Sequence, residues 1–221
     1  KRQVKEELSR QISTARHCQI AEIAAILSVC GQVSISANDH FCVTVHTENV
    51  SVARKYFTLV EKTFNIEAVI HVRKNVYLKK SNVYRVEVPS HEDTVRILQA
   101  TKFMSPEQEI ADDLSVMSRL VIQKECCKRA FLRGTFLAAG SISDPEKGYH
   151  LEIVCSTMER AEQIQSIMKE FELDARIVTR KKNQVVYLKE GSQIVDFLGV
   201  VEAGILSLIH ISEPTRPLYI S

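Results

Sequence analysis

Two nine-residue segments of one pattern, residues 23–31 and 132–140, constrain the fold of this chain more than any other feature. Each segment is apolar with small residues interleaved, and each ends in a glycine, Gly31 and Gly140. A short serine-containing stretch of strand character follows each glycine. The pattern predicts a buried helix that runs directly into a strand, and it predicts this arrangement twice.

The chain after each segment repeats as well. A strand-like run, an amphipathic stretch and two further strand-like runs follow both segments, with the amphipathic stretches at residues 50–64 and 159–171. The offset between the copies is 109 residues at the glycines and 107 residues at Phe64 and Phe171. Because the offset is nearly constant, we predict a tandem duplication of a helix-strand-strand-helix-strand-strand-helix unit. The fold class is then α+β, with four strands in each unit.

Small residues in the two segments indicate that the predicted helices pack against each other, because small side chains let two backbones approach closely. For a single copy, an ordinary alanine-rich core helix is the simpler interpretation. The duplication favours a paired interface between the repeats. The residues predicted at this interface are Ala24, Ala25, Ser28, Gly134 and Ala138.

The two segments resemble the signature helix of the LAGLIDADG homing endonucleases. In that family the eighth position is an acid that holds the catalytic metal, whereas here it is Cys30 in one copy and Ala139 in the other. The resemblance implies two antiparallel four-stranded sheets that form a saddle around the helix pair and straddle duplex DNA. Mg²⁺ prefers hard oxygen ligands, which neither a thiol nor a methyl group supplies. We therefore expect no catalytic residue, no metal and no other cofactor.

A second resemblance is more specific. Residues 126–142, CCKRAFLRGTFLAAGSI, are similar to the second-repeat motif of the WhiA family, and residues 4–8 and 18–23 also match that family. The similarity covers roughly residues 1–203. WhiA proteins regulate sporulation or cell division in Gram-positive bacteria, and they join a degenerate LAGLIDADG-like domain to a C-terminal helix-turn-helix domain. The resemblance implies DNA binding and transcription regulation without strand cleavage.

The end of the chain departs from the family pattern. From Leu206 the sequence reads LSLIHISEPTRPLYIS, which is what a transposase-type sequencing adapter gives when it is translated in frame. We expect residues 206–221 to be non-native read-through and the helix-turn-helix domain of the family to be absent. The predicted organisation is a first repeat with an N-terminal helix, an acidic linker and a second repeat, at residues 1–104, 105–124 and 125–205.

Basic residues cluster near the ends of the last hairpin of each repeat, although the net charge is only +2. A basic sheet face suits contact with DNA phosphates, which gives weak, salt-dependent and largely sequence-independent binding. Lysine-rich hairpin ends also occur for solubility and edge protection, and the charges alone favour neither interpretation. The predicted DNA-binding residues are Arg73, Lys74, Lys79, Lys80, Arg176, Arg180, Lys181, Lys182 and Lys189.

The six cysteines show no zinc-binding spacing along the chain, and the adjacent Cys126 and Cys127 are a poor pair for a disulfide or a shared metal. We expect reduced thiols in a cytoplasmic, nucleoid-associated protein. No apolar run approaches the roughly 20 residues that span a membrane. The expected partners are double-stranded DNA, contacted weakly, and other proteins or a second copy of the chain. No membrane and no small-molecule substrate are expected.

The sequence thus predicts the non-catalytic LAGLIDADG-like part of a WhiA-type DNA-binding transcriptional regulator, acting in sporulation or in cell division and chromosome segregation. A protein-interaction or dimerisation module without DNA contact is the alternative. A residual LAGLIDADG endonuclease ranks third, because the metal-binding acids are replaced.

Overall fold

The computed structural model describes residues 2–74, 81–143 and 148–202. The elements up to the end of the first repeat are α1 Arg2–Arg10, α2 Arg16–Cys30, β1 Gly31–Ile35, β2 Phe41–Thr47, α3 Val50–Phe64, β3 Val69–Lys74, β4 Asn82–Val88 and α4 His91–Ala100. Those of the second repeat are α5 Glu125–Ala139, β5 Gly140–Ile142, β6 Leu151–Cys155, α6 Met158–Glu170, β7 Arg176–Arg180, β8 Asn183–Leu188 and α7 Gly191–Val200. The predicted order of elements is confirmed in both repeats.

Each repeat forms one antiparallel four-stranded sheet, and the two sheets have the same strand order. The first is β1-β2-β4-β3 and the second is β5-β6-β8-β7. Their registers are equivalent, because Gly31 pairs with Val45 and Gly140 pairs with Ile153. The predicted α+β duplication is therefore confirmed down to individual strand positions.

Capping side chains set the ends of the two surface helices. At the start of α3, Asn49 accepts a hydrogen bond from the backbone N–H of Ser51, and Asn65 ends the helix in the left-handed conformation, at φ 56°. At the start of α6, Thr157 accepts from the backbone N–H of Arg160. The amphipathic stretches predicted at 50–64 and 159–171 correspond to α3 and to α6.

The helices α2 and α5 lie side by side in the centre of the molecule. His17 Nδ1 and Cys127 Sγ are 3.2 Å apart at their N-terminal ends. Further along the pair, a Cβ added to Gly134 would lie 3.0 Å from Cβ of Ala25. The two helices therefore run in the same direction. Buried residues of both repeats form one continuous hydrophobic core around them.

The segment between the repeats packs against the second repeat. Met117 is buried, and its backbone N–H and C=O both bond to the side chain of Gln163 on α6, at 2.9 Å each. The acids of this segment, such as Asp112 and Asp113, are exposed.

Some predicted features lie outside the described residues. They are Lys79, Lys80 and the segment 206–221. Among the residues that the structure describes, no helix is long and apolar enough to cross a membrane.

Candidate nucleic-acid interface

Each sheet has one face packed on helices and one face turned away from them, which we call the open face. On the first sheet, the completely buried Val45 and Val86 define the helix side. The next row of the register places His46, Arg85 and His71 side by side across the open face. Residues paired across antiparallel strands project to the same side, so these three side chains are neighbours.

The open face of the second sheet is partly apolar. The register defines two rows of three residues across it, Glu152–Tyr187–Arg176 and Val154–Val185–Val178. Val154 and Val178 are each 40% exposed, whereas Val185 between them is buried. A polar row and a valine row therefore lie next to each other on this face.

Carboxylates neutralise part of the positive charge on both open faces. The two Nη atoms of Arg180 donate to the two Oε atoms of Glu152 at 3.0 and 2.9 Å, and Nε2 of His150 lies 2.8 Å from Oε1 of Glu152. Hydrogen bonding to Arg180 holds the pKa of Glu152 below its usual value, so this carboxylate is ionised at neutral pH. On the first sheet Arg85 pairs with Glu87. The ion pairs leave less free positive charge than the sequence suggests.

The predicted DNA-binding residues fall in different places. Arg73 lies in an open-face row of the first sheet, and Lys74 lies on the opposite face. Arg176 and Arg180 share the open face of the second sheet. The exposed Lys181 and Lys182 form the turn between β7 and β8. Beyond β8, Lys189 Nζ lies 5.3 Å from the ring centroid of Tyr187. Lys181 and Lys182 thus follow directly after the exposed Arg180, whereas Arg176 lies at the other end of β7.

The C-terminal ends of the helix pair, where LAGLIDADG endonucleases carry their metal-binding acids, are flanked by cations. The guanidinium of Arg160, on α6, donates to the backbone oxygen and the Oγ of Ser28, near the C-terminal end of α2. Burial raises the pKa of Cys30 to about 11, against the opposing effects of Arg160 and Lys5. A divalent cation at this place would meet a neutral thiol and two positive charges.

A buried ion cluster joins the repeats in the middle of the helix pair. Glu22 Oε1 on α2 lies 2.9 Å from Lys55 Nζ and accepts from Arg133 Nε of α5 at 3.3 Å. Arg133 also donates to Ser13 Oγ at 2.9 Å and to the backbone oxygen of Val201 at 3.4 Å. Nη1 of Arg133 also lies 3.3 Å from Oε2 of the exposed Glu202.

A second cluster, which chain spacing did not reveal, lies at the N-terminal end of the helix pair. His17 and Cys18 of α2 meet Cys126 and Cys127 of α5, with the four donor atoms within 4.8 Å of one another. Burial and the neighbouring thiols raise the pKa of Cys18 to about 12, so this thiol is neutral without a ligand. The available signal was the repeat offset, because residues 17 and 18 are each 109 positions from residues 126 and 127.

Two family models match this chain. The WhiA N-terminal LAGLIDADG-like domain matches residues 16–104, and the WhiA LAGLIDADG-like domain matches residues 128–212. The chain belongs to the WhiA family. The second match extends to residue 212, within the segment predicted to be adapter read-through, so that boundary stays a prediction.

Relatives with this family name are close in sequence. A "Probable cell division protein WhiA" from Lachnoclostridium phytofermentans is 52% identical over 202 residues, which are 91% of this chain and 64% of the relative. One from Alkaliphilus oremlandii is 40% identical over 200 residues, covering 90% of this chain and 62% of the relative. The chain thus spans less than two thirds of the length of these WhiA relatives.

Solved structures agree on the fold. Full-length DUF199/WhiA from Thermatoga maritima superposes with a TM-score of 0.69 at 20% identity, covering 95% of this chain and 63% of that one. The homing endonuclease I-DmoI in complex with DNA and Mn superposes with a TM-score of 0.59 at 11% identity, covering 86% and 99%. The WhiA chain therefore has the LAGLIDADG fold.

Proposed function

We propose that this chain is the non-catalytic, LAGLIDADG-like part of a WhiA-type DNA-binding regulator that acts in cell division or sporulation. The observation that carries the proposal is the open face of the second sheet, where Arg176 and Arg180 project from β7 and the exposed turn of Lys181 and Lys182 follows directly after Arg180. Similar structures include I-DmoI and I-WcaI bound to DNA, which supports the use of this sheet face for a duplex. Its relatives are named as cell division proteins.

The C-terminal ends of the helix pair support the absence of cleavage. Hydrolysis of a phosphodiester with metal assistance needs carboxylates that hold a hard cation. Cys30 and Ala139 stand where the LAGLIDADG pattern has acids, and Arg160 and Lys5 add positive charge close to Cys30. The same cations are compatible with a nearby phosphate backbone.

The ion pair of Glu152 with Arg180 indicates that contact through this sheet is weak. Arg180 must exchange a bidentate carboxylate for a phosphate before it contributes to binding, and Val154 and Val178 offer no charge. We propose contacts to phosphates without base selection. Sequence selection then belongs to other parts of the family's longer proteins.

The test is fluorescence anisotropy of a labelled duplex titrated with the chain over a series of salt concentrations. Each phosphate contact contributes about 0.9 to the log–log salt slope. Changing Arg180, Lys181 and Lys182 together to Ala should therefore flatten the slope by up to about 3 and weaken binding at low salt. Glu152→Gln should strengthen binding, because it removes a negative charge and frees Arg180.

Matched controls separate a local contact from net charge. Changing the exposed Arg54, Lys62 and Lys169 of α3 and α6 to Ala removes the same charge from the helix side of the molecule. This variant should keep the salt slope. Equal losses in both triple variants, or no anisotropy change at low salt for the unaltered chain, would rule out the open face as a DNA contact. Supercoiled plasmid incubated with Mg²⁺ should stay intact.

The valine row favours a second candidate function, protein interaction or self-association without DNA contact. Val154 and Val178 are exposed apolar residues in the middle of a sheet face, a position typical of a protein contact. Under this alternative, Val154→Lys abolishes self-association in analytical ultracentrifugation and DNA binding is absent. Under the first proposal, Val154→Lys strengthens DNA binding by adding a cation.

A further inference from the structure

Two dipeptides at equivalent places of the repeats meet at the N-terminal end of the helix pair. His17 and Cys18 lie in the first turn of α2, and Cys126 and Cys127 lie in the first turn of α5. The helices run in the same direction and start at equivalent positions, so the duplication itself brings one pair onto the other. Four side chains that ligate soft or borderline metals thereby converge from two repeats.

The distances fit tetrahedral coordination. His17 Nδ1 lies 3.2 Å from Cys127 Sγ, 3.4 Å from Cys18 Sγ and 3.8 Å from Cys126 Sγ. In a tetrahedral zinc site, bonds of about 2.3 Å to sulfur and 2.0 Å to nitrogen separate a nitrogen from a sulfur by about 3.5 Å. The observed distances bracket this value. All four donor atoms lie within 4.8 Å of one another, so an ion could enter the cluster after adjustment of the side chains.

We propose that His17, Cys18, Cys126 and Cys127 bind one Zn²⁺ ion in a structural Cys₃His site. Three thiolates and an imidazole are a donor set that selects zinc over Mg²⁺ or Ca²⁺, which prefer oxygen ligands. All four positions of the tetrahedron are taken by protein atoms, so the site leaves no place for a substrate. This site lies at the opposite end of the helix pair from the position of the endonuclease acids.

The surroundings suit a site with net negative charge. Three thiolates and one neutral imidazole around Zn²⁺ carry a charge of −1, and the cluster sits at the N-termini of α2 and α5, where the helix dipoles favour negative charge. Lys124 adds a positive charge close to Cys127. Cys18 and Cys127 are buried, whereas His17 and Cys126 are exposed. Two ligands are therefore fixed in the interior, and the other two are accessible to an ion from the solvent.

Zinc binding would link the two repeats, because two ligands come from each. The ion would hold α2 to α5 at an end of the pair where the described contacts include no ion pair between the helices. Metal binding to the folded state alone stabilises it, so removal of the ion should lower stability. This role does not depend on DNA binding, so the measurements of zinc binding test it separately.

The experiment is metal analysis of the full chain, purified in reductant without chelators or a metal-affinity tag. Inductively coupled plasma mass spectrometry should find about one zinc per chain. Cobalt substitution should give a thiolate-to-cobalt charge-transfer band and the visible absorption of a tetrahedral ion. His17→Ala and Cys126→Ser alter exposed side chains, so the fold should persist by circular dichroism. Zinc affinity should fall at least about tenfold in each.

A control thiol lies outside the cluster. Cys42 is half-buried on β2 and donates to the backbone oxygen of Val88, an interaction that a serine hydroxyl can also make. Cys42→Ser should keep the zinc content and the cobalt spectrum. A chelator should lower the midpoint of thermal unfolding of the unaltered chain and of Cys42→Ser, but not that of Cys126→Ser.

Three results would overturn the proposal. The first is a zinc content below about one tenth per chain together with no cobalt charge-transfer band after reconstitution. The second is zinc binding that persists unchanged in His17→Ala and Cys126→Ser. The third is a disulfide among Cys18, Cys126 and Cys127 in the chain isolated without reductant, combined with absence of zinc after reduction.

Discussion

Glu22 is an acidic residue in a completely buried position, although carboxylates are normally exposed to solvent. Its carboxylate is completely buried, with Oε1 held by Lys55 and Arg133 and with Oε2 lacking a hydrogen-bond partner within the described residues. Burial lowers the pKa of Lys55, and the charge of Glu22 opposes that shift. A buried ion pair gains little net stability, but a buried charge that loses its partner destabilises a protein strongly. The cluster therefore fixes the pairing of the repeats more than it adds stability.

We predict that Glu22→Gln destabilises the chain by about 3–5 kcal/mol, because it leaves Lys55 buried without a countercharge and Arg133 with only the exposed carboxylate of Glu202. Urea unfolding followed by circular dichroism measures this change. Glu162→Gln on the exposed face of α6 is the control and should stay within about 0.5 kcal/mol. A loss below about 1 kcal/mol for Glu22→Gln would mean that water or rearranged side chains compensate the cations.

The cluster of His17 with three cysteines shows why residues in a site escape sequence reasoning. Zinc sites are recognised by short spacings along one chain segment, and Cys126 and Cys127 show none. Their partners lie on another helix, 109 positions away. The offset that identified the duplication already contained this information, but only the parallel packing of α2 and α5 shows that equivalent positions meet.

At the scale of elements, the closest approach of the two central helices depends on one glycine. A Cβ added to Gly134 would lie 2.9 Å from the backbone oxygen of Glu22 and 3.0 Å from Cβ of Ala25. Contacts that short require one helix to move, and a backbone oxygen cannot rotate away. The structure thus places Gly134 and Ala25, two of the residues predicted at the interface, against each other.

We predict that Gly134→Ala destabilises the chain by about 1–3 kcal/mol, since overpacking at the interface exceeds the gain in helix propensity. Gly199 on α7 is the matched control, because a Cβ there would meet nothing within 4 Å. Gly199→Ala should stabilise by about 0.5–1 kcal/mol through the unfolded state. Chemical denaturation measures both, and equal effects of the two substitutions would show that the helices separate without strain.

The elements differ in how well the sequence predicted them, for physical reasons. The span of α3 was predicted to the residue because its amphipathic pattern coincides with the caps Asn49 and Asn65. The strand period places Arg176 and Arg180 on one face of β7, as a basic sheet face requires. The ion pair of Arg180 with Glu152 could not be predicted from the strand period, because Glu152 lies two strands away, on the other side of β8. A strand pattern predicts on which face of the sheet a side chain lies, but not which side chain of another strand it contacts.

At the scale of the whole molecule, side-chain hydrogen bonds and a shared hydrophobic core connect the two repeats. Arg160 of α6 in the second repeat donates to Ser28 of the first, and Arg133 of the second repeat reaches Glu22 and Ser13. The hydrophobic core also contains buried residues of both repeats without interruption. Two sequence-related halves therefore share their interior, and neither half buries its central helix alone.

We predict that the repeats unfold together in one transition. Val86 and Val186 are equivalent core valines in β4 and β8, and both are completely buried. Val86→Ala and Val186→Ala should each lower stability by about 2 kcal/mol. Hydrogen exchange measured by mass spectrometry should show a similar loss of protection in the central strands of both sheets for either substitution, because global unfolding limits exchange there.

The exposed Val178 provides the control for this comparison, and Val178→Ala should change protection in neither sheet by more than about 0.5 kcal/mol. Independent repeats would give a different result. Val86→Ala would then lower protection only in β2 and β4, Val186→Ala only in β6 and β8, and urea unfolding would show two steps. Such an outcome would mean that Glu22, Arg133 and Arg160 join two units that are stable separately. A single step with equal losses requires the shared core to be the unit of folding.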